Sequence, residues 1–264
     1  AYSGKTGANA KIAVSVNDPT STRIEEIANA FGALVARAEV GEANVVNRAR
    51  ELRTEGYEVR ILGEGSNGGN ITHPAAVRDP LNSIFALIKL LAIKDGQSPD
   101  GSEKKGLFHL WCSLSNQEEK YKEDFSLIDV IETLPVYTTT GVSESRALLK
   151  IKTTDQSVLK AKYQKVFLSQ GEDKKSYFEE KYDISNYEAV CNNGTKETKN
   201  ITDFSISGKG GLKILLKNKN QDNVAFIWMR GSGTEPVFRV MCDVKGNNPE
   251  MEKELLQWHS EMIL

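Results

Sequence analysis

Between residues 11 and 62 short apolar runs alternate with helical patterns, and this alternation limits the fold more than any other feature. Lys11-Ile12-Ala13-Val14-Ser15-Val16 reads as a strand. A turn follows at Asn17-Asp18-Pro19-Thr20-Ser21, and Thr22 with Glu25 three residues on is a capping-box pattern. Ile24, Ile27, Ala28 and Phe31 share one helical face, and Gly32 supplies the stop. Residues 34–38 read as a second strand, 45–55 as a second helix and 57–62 as a third strand. This order predicts an α/β sandwich-type domain, a mixed sheet with helices.

The pattern then changes. A glycine-rich loop covers residues 63–69, and Asp79-Pro80 places an N-cap and a first-turn proline before a strong helix. Leu81, Ile84, Phe85, Leu87, Ile88 and Leu91 make that helix apolar on several sides, which predicts deep packing. Residues 94–106 are polar, and 125–134 read as a closing helix. Pro135-Val136-Tyr137-Thr138-Thr139-Thr140-Gly141 reads as an extended hinge linker. The expected division is a lead-in at 1–10, the α/β domain at 11–134, the hinge at 135–141 and a smaller α+β domain with an antiparallel sheet at 142–264. The second domain opens with a helix over 155–170 and fills 187–244 with strands. A last helix from Asn248-Pro249 places Met251, Leu255, Trp258 and Met262 on a core stripe, with His259 expected at the surface.

Charge narrows the partners. The chain of 264 residues has 34 basic and 36 acidic side chains, a net −2, which argues against a general nucleic-acid or membrane-surface binder. Cys112, Cys191 and Cys242 are odd in number and widely spaced, with no disulfide framework or metal spacing, so a reducing, cytoplasmic compartment is expected.

Arg230-Gly231-Ser232-Gly233-Thr234-Glu235-Pro236 lies between two runs of strand character. Gly, Ser and Thr between strands are hairpin material. The chemistry also suits phosphate: glycines permit close approach, Ser232 and Thr234 offer hydroxyls, and Arg230 offers a planar fork for two oxygens. The order R-x-S-G-T-E-P-x-x-R resembles the C-terminal phosphate loop of the α-D-phosphohexomutases, the phosphoglucomutase/phosphomannomutase family. The resemblance implies phosphate contacts from Arg230, Ser232, Gly233 and Thr234. It also implies a role for Arg239, unless that side chain pairs with Asp243 on the same strand face.

Gly63-Glu64-Gly65-Ser66-Asn67-Gly68 fits G-x-G-x-x-G literally, but a dinucleotide site requires a helix to open at once. Here Asn70-Ile71-Thr72-His73-Pro74 follows instead. The segment resembles the family's sugar loop, G-E-x-S-G-H, which implies hydroxyl contacts from Glu64 and Ser66. The family's Gly and His are Asn67 and Gly68 here, so the contact made by the family's His falls to Asn67 or His73, and Asn67 is the candidate third sugar contact. Ala38-Glu39-Val40-Gly41 resembles the family's T-x-V-G turn, and Arg78-Asp79-Pro80 stands where the family has a basic residue, Asp and Gly before a long helix.

The family's T-x-S-H-N-P phosphoserine loop and D-G-D-x-D-R metal loop have no counterpart here. The chain therefore resembles the third and fourth domains only. The expected function is the substrate-binding half of a phosphohexomutase, an intramolecular phosphotransferase that interconverts glucose or mannose 1- and 6-phosphates through a bisphosphate. The resemblance implies Mg²⁺ for the parent, with ligands outside this chain, and hexose 1,6-bisphosphate as intermediate and activator. The expected partners are the phosphosugar and the parent's N-terminal domains. No catalytic residue and no metal ligand is assigned in this chain. The alternatives are a non-catalytic phosphosugar-binding or regulatory module and, from the glycine pattern, a nucleotide-dependent oxidoreductase.

Overall fold

A computed structural model describes residues 10–64, 70–141, 143–151, 155–232 and 237–264. The lead-in at 1–10 lies outside this range except for Ala10. Strand β1 (Ile12–Asn17) pairs in parallel with β2 (Leu34–Ala38) and β3 (Glu58–Gly63). Parallel neighbours require crossovers, and helices α1 (Arg23–Ala30) and α2 (Glu42–Thr54) supply them. Strand β4 (Ile71–Thr72) adds antiparallel to β3, completing the order β2-β1-β3-β4. Val45, Val46, Ala49 and Leu52 of α2 meet Ala13, Ala36, Val59 and Leu62 in the core of this unit. Thr22 stands at the N-terminus of α1 but makes no side-chain cap. Its hydroxyl and amide go to Asp243 instead, and Glu25 pairs with Arg37.

Helix α3 (Pro80–Ala92) starts as the sequence predicts: Asp79 accepts from the amides of Leu81 and Asn82 at 3.0 and 3.3 Å. The expectation of deep packing is corrected. No residue of α3 is buried, and Leu81, Ile84, Phe85, Leu87 and Ile88 are exposed. Only its C-terminal end, through Leu90 and Leu91, reaches a small aromatic cluster. That cluster is built by α4 (Leu107–Leu114), which the sequence reading missed, and by α5 (Leu127–Glu132) inside the predicted closing helix. Between α3 and α4, β5 (Gly96–Gln97) and β6 (Glu103–Lys104) form an exposed two-stranded ribbon.

The second unit is the antiparallel domain expected. It comprises β7 (Tyr137–Thr139), β8 (Leu148–Leu149), α6 (Gln156–Tyr182), β9 (Asn186–Asn193), β10 (Lys196–Thr198), β11 (Gly211–Lys217), β12 (Asn223–Gly231), β13 (Phe238–Lys245) and α7 (Pro249–Glu261). The sheet order is β10-β9-β11-β12-β13-β7, and β8 also pairs β13. The hinge residues Tyr137–Thr139 are thus a strand, hydrogen-bonded along Asp243–Lys245. Their aromatic and β-branched side chains suit that pairing.

Period-two alternation gives the sheet two buried faces. Ala225, Ile227 and Met229 of β12 enter the main core, with Leu159, Tyr163 and Phe167 of α6 and Leu255 and Trp258 of α7. Phe226 and Trp228 point the other way and meet Val40 of the first unit. The expected stripe Met251, Leu255, Trp258 and Met262 is buried. His259 is buried as well, which corrects its expected surface position. Its ring contacts Tyr163 Oη at 2.8 Å and the Trp228 carbonyl at 3.1 Å. The carbonyl can only accept, so Nε2 carries the proton and Nδ1 accepts from the tyrosine.

Candidate functional site

The polar residues between the units fix where the loops stand. Asp18, at the end of β1, is fully buried. Its two carboxylate oxygens accept from Asn192 Nδ2 at 2.9 Å and Trp228 Nε1 at 2.5 Å. Its carbonyl accepts from Arg37 Nη1 at 2.9 Å and from Lys213. Gly211 lies so close that a Cβ there would overlap Asp18 Oδ2, a close approach that glycine permits. Burial pushes the Lys213 ammonium down to about 8, with Arg37 pushing the same way and Asp18 opposing. Further out, Thr22 holds Asp243 Oδ2, Thr139 holds Asp243 Oδ1 at 2.5 Å, and Glu26 meets Tyr137 and Lys245. Asp243 therefore spends its carboxylate on two threonines.

Arg230 stands at the end of β12, directly across from Arg239 of β13. Partners in an antiparallel register share a sheet face, so both guanidinium groups start from the face turned toward the first unit. The Ser232 amide donates to the Val237 carbonyl at 2.8 Å, closing the base of the loop. Gly233 and Thr234 lie outside the described residues. Arg230 Nη2 donates to Glu39 Oε1 at 3.0 Å, and its buried Nε has no hydrogen-bond partner among the described residues. The start of α6 abuts the same loop, since a Cβ on Gly231 would overlap the Gln156 side chain. One turn on, Lys160 is fully buried and donates to the carbonyls of Gly208 and Gly210 at 2.8 and 2.7 Å. Burial pushes its ammonium down to about 8, and Arg230 adds to that effect.

Of the candidate sugar loop, Glu64 is described; Ser66 and Asn67 are not. The Glu64 side chain is only 8% exposed, and its Oε2 lies 4.0 Å from Arg78 Nε. Arg78 donates to Glu42 Oε1 at 2.5 Å. That hydrogen bond, with the Glu42 charge, raises the guanidinium pKa. The far end of the loop is tied to α3: Asn70 receives the Asp79 amide at 3.2 Å and donates to Ser83 Oγ at 2.9 Å.

One short turn touches both candidate loops. Glu39 contacts Arg230, and Glu42 contacts Arg78, the neighbour of Glu64. Three residues of chain span at most about 11 Å, so the two loops converge on the turn from β2 into α2. Motif order marks this turn by its resemblance to T-x-V-G but assigns Glu39, Glu42 and Arg78 no part in a site. Their signal was the position of the turn beside both loops, visible only once β2 and β12 are docked. Among the described residues no three His, Cys, Asp or Glu side chains group to hold a metal ion. Nor is any described helix long and apolar enough to cross a membrane. The chain matches no known protein family model and no curated protein.

Proposed function

We propose that the chain binds a phosphorylated hexose, as the substrate-binding half of a phosphohexomutase acting on glucose or mannose phosphates in the cytoplasm. One observation carries the reading. Arg230, of a hydroxyl-rich, glycine-containing loop, contacts Glu39, and Arg78, whose Nε lies 4.0 Å from Glu64 of a second loop, contacts Glu42 at the other end of the same four-residue turn. A phosphosugar needs both elements, a cationic fork for the phosphate and a carboxylate for vicinal hydroxyls. Arg230, Arg239, Ser232, Gly233 and Thr234 take the phosphate; Glu64, Ser66 and Asn67 take the sugar. Remote contacts of this kind orient a substrate and leave the chemistry to other groups. The nucleophile and the Mg²⁺ site, with the bisphosphate turnover they support, belong in this reading to the partner N-terminal domains.

Calorimetric titration tests it. Glucose 6-phosphate should bind the chain, NADH should not, and Arg230→Ala should weaken the sugar phosphate about ten- to a hundredfold. Equal affinity of Arg230→Ala and wild type would sink the proposal.

A further inference from the structure

We infer that Glu39 is a positioning residue of the phosphate site, fixing the Arg230 guanidinium from the neighbouring unit; this rests on the phosphosugar reading above. Glu39 follows β2 and is itself held. Its amide donates to the Gly194 carbonyl at 2.8 Å, and its Oε2 accepts the Gly194 amide at 2.9 Å. The reciprocal pair ties Glu39 to the tip of the β9–β10 hairpin. Oε1 is left for Arg230 Nη2, at 3.0 Å. A long arginine side chain is thereby tethered at its tip, while its buried Nε finds no acceptor among the described residues.

A second pair on the same strand face sets the register. Trp228, two residues before Arg230, donates to Asp18. The Asp18 amide in turn donates to the Ala38 carbonyl at 2.8 Å, next to Glu39. Two donors spaced by one strand repeat thus meet two carboxylates at adjacent strand ends.

A carboxylate at position 39 is required because two donors converge on it. A glutamine replaces one of the two accepting oxygens with an NH₂ group, which sets a donor against either Arg230 Nη2 or the Gly194 amide in this arrangement. The opposite role, an internal anion competing with phosphate for Arg230, predicts the opposite sign, since removing its charge would then tighten binding. The anchoring of Glu39 by backbone groups on both sides favours the tether.

Glucose 6-phosphate titrated into wild type, Glu39→Gln, Arg230→Ala and the double variant separates these roles. Glu39→Gln should weaken binding about tenfold, and the double variant should bind no more weakly than Arg230→Ala alone. A purely structural role for Glu39 would instead add its loss in the Arg230→Ala background. Binding by Glu39→Gln equal to or tighter than wild type overturns the inference, and so does an additive loss. Arg230→Ala binding like wild type fails the phosphosugar reading itself. In that event the arginine side-chain NMR signals of the ligand-free chain still decide the tether. Restricted rotation of the Arg230 guanidinium in wild type that is lost in Glu39→Gln supports it, and equal rotation in both overturns it.

Discussion

Helix α3 and strand β12 are among the most apolar segments of the chain, and they end in opposite environments. Every side chain of α3 is at least partly exposed, whereas Ala225, Phe226, Ile227, Trp228 and Met229 of β12 are all buried. Composition does not separate them; neighbours do. The strand has a hydrogen-bonded partner along each edge and a packed layer on each face. Among the described residues the helix packs apolar side chains into a core cluster only near its C-terminal end. Burial is a property of how many sides of an element are occupied, and a sequence window reports only one element at a time.

The largest test of this contrast is on the polar side of β12. Asp18→Ala should cost about 3–5 kcal/mol, because it strips the carboxylate from a buried set of donors that includes Lys213 and Trp228. Chemical denaturation reads the loss. A cost under about 1 kcal/mol would mean that this face is not closed in solution and that β12 is no better covered than α3. Ile227→Ala should come next, at about 2–5 kcal/mol, since that side chain fills the helix-facing core with no measurable exposure.

The acid limb of the stability curve gives a third test. Burial pushes His259 down to about 4, against an ordinary value near 6.5. The unfolded chain takes up a proton below about pH 6.5 while the folded chain refuses it. The histidine's contribution is therefore fully present above pH 6.5 and is lost as pH falls toward 4, up to about 3 kcal/mol in all. Denaturation midpoints measured from pH 7 to pH 4 should fall steadily, and His259→Asn should flatten that slope. An unchanged slope would mean that the Trp228 carbonyl is reached by water, and the closed side of the comparison would weaken.

Much of the fold could be read before the structure. The strand–helix alternation of residues 11–62, the Asp79-Pro80 start of α3, and the Met251, Leu255, Trp258 and Met262 stripe rest on local chemistry, and local chemistry is what a sequence displays. The misses share a different cause. His259 is buried because Tyr163 and a strand carbonyl, distant in sequence, satisfy both ring nitrogens. Tyr137–Thr139 joins a sheet because the edge of β13 is free to receive it. The candidate site divides the same way. Arg230, Ser232, Arg239 and Glu64 stand out from motif order, whereas Glu39 and Arg78 matter through contacts made across units.

The smallest expected effect is also the sharpest test of the exposed side. Phe85 and Ile84 are 58% and 51% exposed in the middle of α3. Serine has nearly the helix propensity of phenylalanine and isoleucine, so Phe85→Ser and Ile84→Ser isolate burial from helix formation. The sequence alone argues for a large loss, because an apolar residue on a many-sided apolar helix reads as core. The structure argues for a change within about 0.5 kcal/mol, as at other uncovered surface positions. The capping of α3 by Asp79 lies more than a turn away from Phe85 and should be untouched. The same exchange at Phe226, which has no exposure, supplies the contrast, at about 3–5 kcal/mol. If Phe85→Ser costs as much as the change at Phe226, α3 is packed in solution, and the difference between the two segments disappears. If it costs little and the chain becomes less prone to associate, the apolar face of α3 is open surface, as an uncovered patch of this kind predicts.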